Sequence, residues 1–151
     1  MIWRTSSTGL NDTAQLAEAI GSRLRGGEVL ELVSDVGGGK TTFVKGLAKG
    51  FGSTDNVASP SFTISREYVA GEKTMYHFDF YRLNDPGIVA NELAEVVDDE
   101  LAVVVVEWAD IVENVLPAEH MTIYIKSTGD TEREFEFSHP ESLAYLIPED
   151  T

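Results

Sequence analysis

A run of glycines that ends in lysine and threonine, SDVGGGKTTF over residues 34–43, carries the residue types of a phosphate-binding loop. In such a loop, glycines allow consecutive backbone N–H groups to turn towards phosphate oxygens at the positive end of the following helix. The glycines at 37–39 supply that backbone here. Lys40 is then predicted to neutralise the β- and γ-phosphates, the Thr41 hydroxyl to bind Mg²⁺, and Thr42 to bond the α-phosphate.

The loop departs from the pattern G-x-x-x-x-G-K-[ST] at its first position, where Ser34 replaces glycine. Glycine is required there only if the backbone φ is positive or a side chain would collide. Serine is small, so we expect it to be tolerated. The alternative interpretation is a glycine-rich turn that merely joins a strand to a helix. The flanking residues favour the phosphate loop, because a strand is predicted over residues 29–33 and a helix over residues 42–50.

Two acidic residues stand on other predicted strands. Glu107 follows the continuous apolar run at 101–106, which is typical of a strand buried on both faces. An acid in that position meets the metal of a phosphate-loop site directly or through water. Asp79 shares one face of its predicted strand with His77, because side chains alternate along a strand. Each acid has a plainer interpretation, Glu107 as a surface residue and Asp79 as a hydrogen-bonded structural aspartate.

Three further features have both a functional and a structural interpretation. His77 is predicted to be structural rather than catalytic, since it has no metal-ligand spacing with His120 or His139. Trp108 stands where the apolar strand is expected to leave the sheet, so it is either core or a contact to a nucleotide or partner. The segment SPSFT at 59–63 suits a nucleotide-sensing loop and ordinary turn chemistry equally well.

Secondary structure has to bring these residues together, and the hydrophobic pattern predicts both helices and strands. Asp12 is predicted to cap a first helix that stops at Gly26-Gly27, and Asp85-Pro86 to open a third. Two hairpins are predicted, with strands at 62–69 and 74–82 and at 121–126 and 132–137. The mixture predicts a single three-layer α/β domain over residues 1–151, similar to a P-loop NTPase, with a mixed parallel and antiparallel sheet.

The overall composition restricts the classes of function. With 151 residues and a formal net charge of -15, the chain would be repelled by a phosphate backbone, so we expect no direct nucleic-acid binding. The acidity serves either solubility or a basic protein partner. Cysteine is absent, which excludes disulfides and thiolate zinc sites. No apolar stretch approaches the roughly 18–20 residues that span a bilayer, and no signal-peptide core is present, so a cytoplasmic location is expected.

In this order and at these separations, the segments SDVGGGKTTF, SPSFTISREY, HFDFYRL and VVEW followed by VLP resemble the TsaE family. The resemblance runs from about Asp12 to Lys126. These are small bacterial ATPases required for threonylcarbamoylation of adenosine 37 in tRNAs that read ANN codons. The resemblance implies a P-loop fold, ATP with Mg²⁺, and the TsaB–TsaD heterodimer as protein partner. TsaD would transfer the threonylcarbamoyl group from the adenylate made by TsaC, while ATP hydrolysis by this chain would drive or reset the cycle.

The resemblance also implies roles for individual residues. Mg²⁺ would lie on Thr41 and Glu107, Trp108 would complete the family's E-W pair, and Thr13 would lie close to the nucleotide base. The family motif H-F-D-x-Y-R-L falls on His77, Asp79, Tyr81 and Arg82, of which Asp79 is implied to be important for activity. Ser34 and Ser61 depart from the glycine and threonine usual in the family. The ATP phosphates would lie on Asp35, Val36, Gly37, Gly38, Gly39, Lys40, Thr41 and Thr42.

The leading hypothesis is therefore an Mg²⁺-dependent ATPase with Lys40, Asp79 and Glu107 as catalytic residues. Lys40 and Mg²⁺ would stabilise charge on the transferring phosphoryl group, and Asp79 or Glu107 would position water. One alternative is a nucleotide-gated binding module with little hydrolysis of its own. Another is a small-molecule kinase, which is disfavoured because the arginines lie scattered along the sequence rather than grouped in a lid. A guanine-specific switch is disfavoured because no N-K-x-D motif occurs.

Overall fold

In the part of the chain that the structure describes, seven strands and three α-helices make up the fold. The structure, a computed structural model, describes residues 1–34, 39–55, 65–80 and 87–148, without the side chains at 88, 89, 110 and 111. Short 3₁₀ helices lie at Ala109–Val115 and Glu141–Leu146. The helices are α1 (Leu10–Gly21), α2 (Lys40–Phe51) and α3 (Gly87–Val97). The strands are β1 (Ile2–Ser7), β2 (Val29–Val33), β3 (Ser65–Ala70), β4 (Lys73–Asp79), β5 (Ala102–Glu107), β6 (Met121–Ser127) and β7 (Arg133–Ser138).

The strands form one sheet in the order β1-β7-β6-β2-β5-β4-β3. The four central strands, β6, β2, β5 and β4, run parallel, and β1, β7 and β3 add antiparallel pairs at the two sides. Because parallel strands point the same way, β2, β5 and β4 end at one edge of the sheet. Glu107 is there in register with Leu32 of β2 and with Asp79 of β4. The predicted mixed sheet and both predicted hairpins are confirmed.

Helices cover the sheet on both faces, which confirms the predicted three layers. Helices α1 and α2 bury an apolar stripe against one face, where Phe43, Val44 and Leu47 are fully buried. On the other face, Leu93 of α3 and Val112 of the first 3₁₀ helix pack against β4 and β5. Burial on both faces explains why β5 is a continuous apolar run rather than an alternating one.

Glycines let α1 and α2 approach each other closely. A Cβ added at Gly46 would lie 2.6 Å from the Cβ of Ala17, and one added at Gly50 would lie 2.1 Å from the carbonyl oxygen of Glu18. Both positions therefore accept only glycine unless a helix moves. The close contact sets the position of α2 in the fold, and therefore the position of its first residue, Lys40.

Several predicted boundaries differ from the structure. Helix α1 begins at Leu10 and ends at Gly21, so the predicted end at Gly26-Gly27 is wrong. Asp12 is not the cap but lies in the first turn, where it accepts hydrogen bonds from the backbone and hydroxyl of Thr8 at 3.1 and 2.6 Å. Those bonds hold the pKa of Asp12 below its ordinary value.

Strand β1 is absent from the sequence prediction. The predicted strand ends at 62–64 and 81–82, and the predicted cap at 85–86, lie outside the described residues. Within the ranges that the structure describes, no helix is both long enough and apolar enough to span a membrane.

Candidate functional site

Lys40 is the first residue of α2 and lies almost buried at the edge where the parallel strands end. Gly39 precedes it with a φ of 98°, in the left-handed region that favours glycine. The Lys40 Nζ lies 3.7 Å from Glu107 Oε1 and donates to the Ser34 carbonyl oxygen at 3.4 Å. The predicted strand, loop and helix thus bring the loop lysine against the predicted metal acid.

Glu107, the last residue of β5, is only 4% exposed, so its interpretation as a surface residue is wrong. Its Oε1 faces Lys40, and its Oε2 lies 2.5 Å from Nε2 of His77. A buried carboxylate is tolerated when it is paired and hydrogen-bonded, and both conditions hold here. The position follows from sheet order, because β5 lies directly beside the strand that leads into the loop.

His77 is 1% exposed, and its ring contacts polar groups on both sides. Besides Glu107 on one side, Nδ1 lies 3.4 Å from the hydroxyl of Tyr68, which is also buried. The structural interpretation predicted from sequence holds, since the ring is buried and hydrogen-bonded. The contact with Glu107 was not predicted, because it depends on the pairing of β4 with β5.

Asp79 and Trp108 flank Glu107. Asp79 is half-buried at the end of β4, and the following residue, Phe80, donates its backbone N–H to the Glu107 carbonyl oxygen at 3.0 Å. Trp108 packs against the core between the sheet and α3, yet its ring centroid also lies 4.7 Å from Lys40 Nζ. The core interpretation of the tryptophan therefore holds, and its contact to a nucleotide or partner remains a prediction. Its φ of 57° is the only positive one among non-glycine residues in the described ranges.

The two threonines after Lys40 lie in the first turn of α2. Thr41 is exposed and Thr42 is half-buried. That turn contains no acidic residue, and its N-cap is glycine, which has no side chain to accept from the first N–H groups of the helix. The positive end of α2 is therefore suited to an external anion.

Thr13, the residue expected near a nucleotide base, has a different polar partner. It is 1% exposed, and its hydroxyl lies 2.7 Å from that of Ser7. The proximity to a base remains a prediction.

Arg133 is a cation that the sequence analysis did not assign to the site. Its Nε lies 3.2 Å from where a Cβ would stand on Gly39, and its side chain is held by carbonyl oxygens of the preceding turn, those of Gly129, Asp130 and Glu132. The residue begins β7 and is 7% exposed. No local pattern identifies it, because the contact requires the whole β6–β7 hairpin to fold beside the loop. At least one of the scattered arginines thus reaches the phosphate loop.

The described donors fit a polyphosphate with a hard cation. Lys40, Arg133 and the N-terminus of α2 supply positive charge, while the Thr41 hydroxyl and the Glu107 carboxylate supply oxygen ligands. In the described parts of the chain, no three His, Asp or Glu side chains gather as a metal cluster. Mg²⁺ usually takes one or two protein oxygens and completes its shell with phosphate and water, so this sparse set suits it.

Other predicted residues lie outside the described part of the chain. These are four members of the predicted loop and two members of the strand motif, together with the segment at 59–63. The roles remain predictions for Asp35, Val36, Gly37, Gly38, Tyr81 and Arg82.

Comparison with known proteins yields consistent matches. The family described as "Threonylcarbamoyl adenosine biosynthesis protein TsaE" matches residues 7–135. A tRNA threonylcarbamoyladenosine biosynthesis protein TsaE from Bacillus subtilis is 41% identical over 140 residues, which cover 90% of this chain and 84% of that protein. One from Treponema pallidum is 36% identical over 131 residues, covering 87% and 96%. The crystal structure of Bacillus subtilis YdiB superposes with a TM-score of 0.78 at 35% identity, covering 97% of this chain and 91% of the other.

Proposed function

Because this chain belongs to the TsaE family, we propose that it is an Mg²⁺-dependent ATPase. It is required for formation of the threonylcarbamoyl group on adenosine 37 of tRNAs that read ANN codons, and it acts in the cytoplasm on the TsaB–TsaD heterodimer. One observation carries the ATPase assignment. Lys40 Nζ and Glu107 Oε1 lie 3.7 Å apart, both nearly buried, at the start of α2 and the end of the adjacent parallel strand.

The loop residues 35–39, Lys40 and Thr42 would hold the phosphates of ATP, and Thr41 and Glu107 would hold Mg²⁺. When bound, the metal neutralises charge on the phosphoryl group that is transferred. The side chains of Lys40 and Glu107 are only 11% and 6% exposed. Their charges are therefore less screened by water than surface charges would be, which strengthens the attraction of Lys40 for a bound phosphate and that of Glu107 for a bound metal.

Asp79 and Glu107 are the two carboxylates that we propose to position an attacking water. The β4–β5 register places them side by side, and both lie on the face of the sheet that α2 covers. Glu107 has one oxygen towards Lys40 and one on His77. Asp79 is half-buried and so remains partly open to solvent.

The phosphate site is tested by Lys40→Ala, with Lys45→Ala as the matched control. Lys45 lies on the same helix but is exposed. Loss of a charged hydrogen-bond donor costs about 1.5–3 kcal/mol, so Lys40→Ala should weaken Mg-ATP binding by about tenfold or more, measured by calorimetry. Lys45→Ala should leave it unchanged. Unaltered Mg-ATP affinity in Lys40→Ala would contradict the phosphate site.

The catalytic assignment is tested by measuring ATP hydrolysis with and without the TsaB–TsaD heterodimer. We expect slow hydrolysis alone and faster hydrolysis with the partner. Glu107→Gln should lower Mg²⁺-dependent turnover more than it lowers nucleotide affinity, since the proposed metal oxygen loses its charge. Hydrolysis absent in both conditions, with ATP still bound, would show a nucleotide-gated binding module instead of an enzyme.

A further inference from the structure

The contact between His77 and Glu107 has no part in the function proposed so far, although the two side chains are buried and closely hydrogen-bonded. Nε2 of His77 and Oε2 of Glu107 lie 2.5 Å apart, and the two residues are 1% and 4% exposed. Burial removes water as a competing partner for either group. The geometry therefore couples the orientation of the carboxylate to that of the imidazole.

The lysine alone does not determine the orientation of the carboxylate. The terminal torsion of a glutamate is broad and roughly two-fold, so its oxygens require directional contacts to hold one position. Lys40 Nζ lies 3.7 Å from Oε1, which is an ion-pair distance and longer than a hydrogen bond. The His77 bond is the directional contact, and it leaves Oε1 facing Lys40 and the start of α2.

The imidazole is itself held from its other side. The Tyr68 hydroxyl lies 3.4 Å from Nδ1, and the two ring centroids are 6.2 Å apart. A hydroxyl that donates to Nδ1 leaves the ring hydrogen on Nε2, where it is donated to Glu107. Tyr68 on β3, His77 on β4, Glu107 on β5 and Lys40 on α2 thus form one line of polar contacts through the buried interior.

We propose that His77 is a positioning residue, which acts through Glu107 by donating from Nε2 to Oε2 and so orienting Oε1 towards the metal position. The inference rests on the proposed function, in which Glu107 binds Mg²⁺. Groups that orient metal ligands typically contribute 10- to 100-fold in metal affinity or activity. Tyr68 supports the same geometry one step further from the site.

Two amide variants test the proposal. Glutamine places its amide nitrogen near the position of imidazole Nε2, whereas asparagine reaches only to that of Nδ1. Both are polar and buried at the same place, so a merely structural role would respond similarly to both. We expect His77→Asn to lower kcat by about tenfold or more and to reduce the factor by which Mg²⁺ raises ADP affinity. ADP affinity without metal should stay unchanged. His77→Gln should recover most of kcat and most of the Mg²⁺ effect. The ADP measurements use calorimetry and require no turnover.

Equal loss of kcat and Mg²⁺ enhancement in folded Asn and Gln variants would overturn the proposal, as would an Asn variant with no loss. Thermal unfolding establishes that each variant is folded.

Should either amide variant fail to fold, Tyr68→Phe keeps the ring and removes only the hydroxyl. It should shift the ¹⁵N signals of the His77 ring in the nucleotide-free protein and lower kcat; unchanged signals and kcat would overturn the proposal. If Glu107→Gln also leaves the Mg²⁺ dependence intact, the proposed function fails; if only His77→Asn does, the inference alone fails.

Discussion

Ser34 stands where the phosphate-loop pattern has glycine, and its backbone explains why serine is accommodated. In the described ranges Trp108 is the only non-glycine residue with a positive φ, so Ser34 adopts a conformation open to any L-residue. Its carbonyl oxygen accepts from Lys40 Nζ at the site. The position thus contributes its backbone to the site and has no conformational need for glycine.

Ser34→Gly is therefore expected to leave Mg-ATP affinity within about twofold, since no strain is relieved. It should lower the free energy of unfolding by about 0.5–1 kcal/mol, because glycine gains more freedom in the unfolded chain. Calorimetry and denaturant unfolding measure the two quantities. A severalfold gain in affinity would show that serine is a defect in the loop.

At the scale of elements, the site depends on how closely α2 packs on α1. Lys40, Thr41 and Thr42 all belong to the first turn of α2, so a shift of the helix moves all three. The glycines at the α1–α2 contact let the two helices lie closer together than any side chain there would allow. A Cβ at Gly46, for example, would lie 2.7 Å from the carbonyl oxygen of Ala14. Helix packing and phosphate geometry are therefore linked.

Gly46→Ala tests that link. Helix propensity alone would favour alanine by about 1 kcal/mol, so a net loss of stability isolates the steric effect. We expect a loss of about 1–3 kcal/mol in the free energy of unfolding, together with weaker Mg-ATP binding. Gly9→Ala is the control, because nothing lies within 4 Å of a Cβ there and its φ is -166°; its cost should stay below about 1 kcal/mol. A neutral Gly46→Ala would mean that α1 and α2 are not tightly packed.

At the scale of the whole molecule, the net charge of -15 disfavours direct binding to tRNA. Phosphate backbones attract basic surfaces through counterion release, and an acidic protein forgoes that contribution. Among the described residues, the cations Lys40 and Arg133 at the candidate site are almost buried, which suits a small anion better than an extended backbone. Recognition of the tRNA is therefore expected to fall to the partner proteins.

The isolated protein should show no saturable binding to tRNA in a mobility-shift titration at micromolar concentrations. Lowering the salt should not induce binding, since repulsion grows as screening falls. With the TsaB–TsaD heterodimer added, a complex containing tRNA is expected. Saturable binding by the isolated protein that weakens as salt rises would reveal a basic surface that the net charge conceals.

Much of the fold followed from local pattern. β2, the glycine loop and α2 were predicted in order because periodicity and glycine spacing are properties of neighbouring residues. The predicted acid at the end of the apolar run proved to be buried at the site. Strand β1 was not predicted because two of its three inward-facing residues, Thr5 and Ser7, are polar, so the sequence shows no apolar alternation there. The end of α1 was misplaced because Leu24 continues the apolar spacing beyond the helix and is buried in the same core.

The sequence by itself determined the strand–loop–helix order and the acidity that disfavours direct tRNA binding, and it predicted a phosphate site. The tertiary structure decided which side chains meet. Lys40 contacts Glu107 because β5 lies beside β2, His77 reaches Glu107 because β4 lies beside β5, and Arg133 reaches Gly39 through the β6–β7 hairpin. Strand order and register depend on long-range packing of buried faces, which local spacing does not encode.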